Sequence, residues 1–376
     1  MDHSTFNLAF FDILTNNRSE LLEQWIATST IEEHREAFLQ SVRMGWMHGV
    51  VTMAPLAGPD ALDQGVTFAI ASNHFDALEF LIPLSTLKHL SGNAITYAVD
   101  QNNIQAVTLL LPHVPQMIRD VVLARAAGRG GLEILELVRP GCGSTAIGVA
   151  LVYAAKEGCT HAVQALAPHC KSDSTYYNTA LTTAAQNGWL DTVNFLQPLC
   201  DKDAINEAFN TAAAWGYIEV VEQLLPHADP LNNNSQALKY AAQCGRFECV
   251  QLLIPLSDPL SDNSFALREA SKQGHLECVK LLIPVSNPKA NDSEALYDAL
   301  VHGHMECAEV LGLVCDPHAV LLQLKEDEDD YNEYGYESFV PFLEDMMARQ
   351  QKRLLETHIE KRRGVDAGTE KVHRKI

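Results

Sequence analysis

Small and apolar residues recur along this chain at interlocked helical intervals. Alanine pairs, Ala154-Ala155, Ala184-Ala185, Ala212-Ala213 and Ala241-Ala242, stand four and three residues before a glycine, and Leu151, Leu181, Phe209 or Leu238 stands seven before it. Those intervals put the apolar side chains on one face of a short helix. The alanines suit a face where a neighbouring helix must approach closely. A second stripe follows each glycine, as in Val221-Leu224-Leu225 and Val279-Leu282-Ile283, and only a stacked neighbour could cover it. The predicted unit is therefore helix, turn, helix.

The glycine is the anchor of a repeat. Gly245, Gly274 and Gly303 are 29 residues apart, and stepping back gives Gly216, Gly188, Gly158, Gly130, Asn102, Asn73, Gly45 and Asn17 in the same slot. Eleven copies then cover residues 5–318. Glycine or asparagine there suits the left-handed residue that ends a helix. The second helix opens on acidic residues such as Glu219, Glu248, Glu277 and Glu306, which complement the partial positive charge of a helix start. Ten residues after the anchor, nine copies carry proline, from Pro55 to Pro284, and this predicts a second helix stopped at fixed length. Ser257-Asp258-Pro259 and Ser286-Asn287-Pro288 turn the chain into the next copy. The fold class expected is an all-α helical-repeat solenoid. Beyond it, 319–338 reads as an acidic linker, 339–363 as a C-terminal capping helix with Phe342, Met346, Met347, Leu354, Leu355 and Ile359 on its apolar face, and 364–376 as a disordered tail.

Charge and cysteine usage narrow the function. The net charge is −21, and since residues 344–376 carry nine basic and six acidic side chains, residues 1–343 stand at −24. A nucleic-acid partner is therefore not expected. No apolar run reaches the roughly 18 residues that span a bilayer, so no membrane insertion is expected. Met1-Asp2-His3-Ser4 lacks the start of a secretory signal, and a cytoplasmic protein is expected. Nine cysteines are scattered, and Cys249, Cys278 and Cys307 fall where other copies place Val220 or Ala162, so they read as small buried hydrophobes.

The run Ala270-Ser271-Lys272-Gln273-Gly274-His275-Leu276-Glu277-Cys278-Val279-Lys280-Leu281-Leu282 resembles the ankyrin repeat. Two departures are plain. The family's Thr-Pro-Leu-His opening is replaced by segments such as Glu294-Ala295-Leu296-Tyr297, and the period falls about four residues short of the usual 33. The shortfall removes much of the family's projecting β-hairpin. Short, proline-terminated arrays of this kind are similar to those of bacterial, amoebal and giant-virus proteins, including bacterial proteins delivered into host cells.

The resemblance implies a non-catalytic scaffold or adaptor, expected as a monomer, that binds a protein or peptide on the concave face of the first helices. The slots five, two and one before the anchor are one turn apart, and they nominate Tyr97, Tyr153, Lys156, Gln186, Trp215, Tyr240, Gln243 and Lys272. Tyrosine and tryptophan suit binding hot spots. The alternatives are an effector that binds a host protein in the host cytosol, and an enzyme with an unrecognised C-terminal site. No phosphate loop, His-Glu-x-x-His, Gly-x-Ser-x-Gly or Cys-x-x-Cys occurs, and neither cofactor nor metal is expected. Trp46, His74, Trp189, Tyr217, His275 and His304, just after their anchors, read as packing or loop hydrogen-bonding residues. The run from Glu326 to Asp330 fails the calcium-loop pattern, because Tyr334 and Pro341 would fall on its fifth and twelfth places.

Overall fold

Backbone conformation at the anchors sets the architecture. A computed structural model of the chain describes residues 10, 12–13, 19–85, 87–170, 174–326 and 336–373, without the side chains of 19–20, 87–92, 336 and 358–373. Every described anchor, the eight glycines and Asn73 and Asn102, has positive φ, between 51° and 84°. Asn17 lies outside the described residues. Each anchor ends a first helix, such as Ile31–Met44, Gln116–Arg129 or Lys202–Trp215, and a second helix begins two residues later. No strand occurs among the described residues.

Nine of the second helices are seven residues long, from Phe75–Leu81 to Met305–Leu311. Their three inward slots are filled by sets such as Ala106, Val107 and Leu110, or Cys249, Val250 and Leu253, all buried. Proline accompanies the fixed length but does not set it. Pro112, Pro140, Pro168, Pro198, Pro255 and Pro284 stand second in a 3-10 turn that follows the helix. Met305–Leu311 has the same length with no proline at that place, whereas Met47–Ala57 runs on through Pro55. The helix stops where its last inward leucine or valine has been buried.

At several anchors the next residue ties one copy to the one before. His275 Nε2 lies 3.0 Å from the carbonyl oxygen of Gln243, and His74 Nε2 lies 3.0 Å from that of Arg43. Arg246 Nε donates to the Ala214 carbonyl at 3.0 Å. These are carbonyls left unpaired at the end of the preceding first helix. The ring of the following copy then sits on the anchor itself, so that a Cβ added to Gly245 would stand 2.5 Å from His275. Glycine there answers both the positive φ and the close approach.

The chain divides into two compact units, residues 1–184 with 194–199, and residues 185–193 with 200–376. In the first, the first helices Ile31–Met44, Pro59–Ser72, Leu87–Asp100, Gln116–Arg129 and Ser144–Lys156 pack each on the next. In the second, Lys202–Trp215, Asn232–Gln243, Ser261–Lys272 and Ala290–Val301 do the same. Here the loops follow a repeated scheme. The backbone N–H groups of Asp258, Asn287 and Asp316 donate at 2.8 Å to the buried hydroxyls of Ser235, Ser264 and Ser293, one copy earlier. Asn206 Oδ1 does the same for Asp229 N–H, also at 2.8 Å. Each serine closes a run of three left-handed residues, Asn233 to Ser235, Asp262 to Ser264 and Asn291 to Ser293. Asparagine, aspartate and serine tolerate that region better than branched residues do.

Two expectations at the C-terminal end need correction. Residues 319–338 are not wholly a linker, because Pro317–Glu326 is a helix that buries Val320 and Leu324 and packs on Ala290–Val301, as the first helix of a further copy would. The signal was present, since Cys315-Asp316-Pro317 repeats the pattern of Ser286-Asn287-Pro288. The segment 364–376 is not all irregular either, because one helix runs from Val340 to His373, with no proline after Pro341 to stop it. Its start covers the stack, with Leu343 and Met346 buried and Gln350 Nε2 donating to the carbonyls of Gly312 and Cys315 at 2.8 and 2.9 Å. Leu354 and Leu355 are more than 60% exposed and do not continue that apolar face. The acidic run past Glu326 lies outside the described residues.

Candidate functional site

A helix in a stack leaves one row of side chains uncovered by its neighbours. On the first helices this row runs through the slots thirteen, nine, five and one before the anchor, four residues apart and so nearly in line. Sequence reasoning found the slots at five and one and missed those at nine and thirteen. Their residue types vary from copy to copy, so they gave no periodic signal.

In the first unit the row forms an apolar groove of about 810 Å³ between Gln116–Arg129 and Ser144–Lys156. Met117, Val121, Val149 and Tyr153 line it, exposed by 73%, 50%, 40% and 49%. Arg125, Arg129 and Glu157 stand at its charged end. Arg125 is held in place by Asp100, to which its Nε donates at 2.6 Å, and that bond keeps the Asp100 carboxyl below its ordinary range. Of the residues named from the sequence, Tyr153 lies in the groove, Lys156 is exposed outside it, and Tyr97 is half-buried one copy earlier.

In the second unit the row turns polar. Asp203, Glu207, Asn210, Thr211, Gln236 and Tyr240 line a cleft of about 600 Å³ between Lys202–Trp215 and Asn232–Gln243. Gln236 Nε2 donates to the Tyr240 hydroxyl at 2.6 Å. Trp215 and Tyr240 are 49% and 38% exposed, and only Tyr240 lines the cleft. Gln186 is exposed, whereas Gln243 is half-buried and bonded through Nε2 to Glu269 at 3.2 Å. Lys272 is half-buried and, with His302, faces a carboxyl whose pKa is shifted. That group is Asp298, pushed up to about 6 by burial first and by Glu294 and Glu269 after it, against the pull of Lys272 and His302.

Several of the thiols are buried and held protonated. Burial pushes Cys249 and Cys278 up to about 11 and Cys200 to about 12, which leaves almost no thiolate at neutral pH. Cys249, Cys278 and Cys307 are the buried hydrophobes expected from their slot. No group of three or more His, Cys, Asp or Glu side chains converges as a metal site among the described residues. No described helix is long and apolar enough to cross a membrane.

Against known proteins, residues 197–263 match the family model for ankyrin repeats, in three copies. No curated protein matches the chain. The matched segment begins in the turn before Lys202–Trp215 and ends within the left-handed turn that opens the Ser261–Lys272 helix, so it holds the polar cleft.

Proposed function

We propose, on the premise that this chain carries ankyrin repeats, that it is a non-catalytic scaffold whose uncovered first-helix row binds a protein or peptide. Ankyrin repeats are in general modules for binding other proteins. The observation that carries the reading is the groove of Met117, Val121, Val149 and Tyr153. Helix positions left uncovered by a stack are ordinarily polar, and adjacent apolar side chains kept in water there suit contact with a partner. Tyr153 is the natural anchor, because tyrosine buries a large area with few torsions to freeze. Trp215 and Tyr240 extend the same row on the second unit and Tyr97 on the first, while Gln186, Gln243, Lys272 and Lys156, at the slot two before the anchor, would border it.

The test is affinity capture with the full chain as bait, comparing wild type with Val121→Glu, Tyr153→Ala, Trp215→Ala and Tyr240→Ala. All four side chains are exposed, so circular dichroism should show unchanged helix content. A partner held by wild type and weakened tenfold or more, about 1.4 kcal/mol, by the first two variants supports the groove. Equal retention by all four would overturn the proposal.

A further inference from the structure

We infer that the groove between Gln116–Arg129 and Ser144–Lys156 is where a second copy of this chain docks, groove to groove, about a twofold axis parallel to the two helices. The inference rests on the first-helix row being a binding surface and names what binds it, in place of the monomer that the resemblance implied. It begins with the direction of the helices. A Cβ added to Gly128 would stand 3.4 Å from Glu157 Cγ and 3.9 Å from the Tyr153 carbonyl oxygen, so the two helices end side by side and run parallel. Their uncovered rows therefore form two columns in register, slot beside slot, and all eight side chains line the groove. An axis along the groove lays each column over the other column of the second copy. Every side chain then faces the residue type that stands beside it in its own chain.

The two columns are complementary at the slots that matter most. One before the anchor they hold Arg129 and Glu157, both exposed, so the twofold makes two ion pairs between copies. Neither is well paired within the chain. Glu157 makes no ion pair among the described residues, and Arg129 reaches at 3.3 Å only the Asp100 oxygen that Arg125 Nε already holds at 2.6 Å. Five before the anchor stand Arg125, its guanidinium fixed by Asp100, and the exposed Tyr153, whose ring face attracts a cation. Nine before it, Val121 and Val149 would leave water together. Met117 and Thr145 complete the columns at thirteen. A partner of another kind requires no such match of one column to the other. The copies before and after carry Gln101 and Asn187 one before the anchor, and no other two successive anchors are preceded by side chains of opposite charge. A net charge of −21 opposes self-association in general, so copies can meet only where unlike charges face one another.

Sedimentation velocity on the full chain, from about 1 to about 300 µM, should show a reversible dimer with a dissociation constant on the order of 10 µM, as suits an interface at the small end of the size range. Arg129→Glu and Glu157→Arg should each weaken it at least tenfold, because each sets two like-charged pairs across the axis. An equimolar mixture of the two variants should regain a dimer of near wild-type affinity, since both opposite-charge contacts return in the mixed pair. The double variant carrying both changes should do the same. Such rescue would not follow if either side chain merely supported the fold. Should Arg129→Glu, beside Asp100, lose helix content, Glu157→Arg decides alone, a tenfold loss supporting the inference and an unchanged dimer overturning it. A wild type monomeric throughout would also overturn it, as would single variants that dimerise as tightly as wild type or a mixture no tighter than its components. A monomeric chain whose captured partner is still lost by Tyr153→Ala sinks this inference only, whereas a monomeric chain with capture indifferent to Val121 and Tyr153 sinks the broader reading as well.

Discussion

Ser264→Ala isolates the hydroxyl bridge that joins successive copies in the second unit. Ser264 is 1% exposed, and its oxygen accepts from the N–H of Asn287 at 2.8 Å, 23 residues on. Alanine keeps the backbone course and the packing volume within one atom but strands a part-buried donor. A buried unsatisfied group costs about 1–3 kcal/mol, and partial access to water at the loop places this one at about 1–2 kcal/mol. Ser235→Ala and Ser293→Ala should cost the same, because Asp258 and Asp316 repeat the geometry at 2.8 Å. Ser261→Ala, on a half-buried side chain outside this bridge, should stay within about 0.5 kcal/mol of wild type. Repeat stacks open in parts, so urea unfolding is best joined to amide exchange resolved at Asn287. Protection there should fall about tenfold for each 1.4 kcal/mol lost. An unchanged exchange rate at Asn287 and an unchanged urea midpoint would refute the claim that this bridge couples the copies.

Three other outcomes follow from the same structure. Gly274→Ala should cost at least about 2 kcal/mol, because φ is +75° and the new Cβ would stand 2.4 Å from His304. Gly303→Ala meets nothing within 4 Å and should cost only the left-handed strain, roughly 1–2 kcal/mol, and equal losses in urea would show that the ring contact is unimportant. Asp298 has a folded pKa of about 6 against an ordinary 3.8, so the folded state holds its proton more tightly. Its contribution is fully present below about pH 4, declines as pH rises towards 6, and is flat above that. Asp298→Asn should therefore stabilise the chain at pH 7 by roughly 1 kcal/mol after allowance for solvent screening, with no gain at pH 4, and equal gains at both values would contradict the assignment. Of the cysteines, exposed Cys244 should alkylate with N-ethylmaleimide well before buried Cys249, Cys278 and Cys307, by mass spectrometry of the folded protein. Equal rates would mean that the second helices do not stay packed.

The features legible in the sequence were those that a local physical demand writes into residue type. A left-handed helix end requires glycine or asparagine, and all ten described anchors have positive φ. A helix pressed against neighbours on both sides requires small or branched apolar residues, and Ala212, Ala213, Val221 and Leu224 are wholly buried as their spacing demanded. The histidines after the anchors were read as packing and hydrogen-bonding residues, and His275 is one. Proline misled by being common, since the second helices keep their length without it at Met305–Leu311. The C-terminal boundary misled because acidic composition hid a familiar turn at Cys315-Asp316-Pro317.

Period, helix pairing, burial pattern and the absence of strands among the described residues were thus set by the sequence itself, because each is decided within one copy or between a residue and the slot it repeats. Which side chains remain uncovered was decided only in three dimensions. Slots nine and thirteen before the anchor vary freely, and nothing local distinguishes Val121 and Met117 in water from core residues until the flanking helices are in place. The cleft beside Asp203 is lined by residues of two neighbouring copies, one opening with a regular helical turn and one with a left-handed turn. A property of a junction is not carried by either partner alone, and so the apolar groove and the acceptor-rich cleft came from tertiary structure.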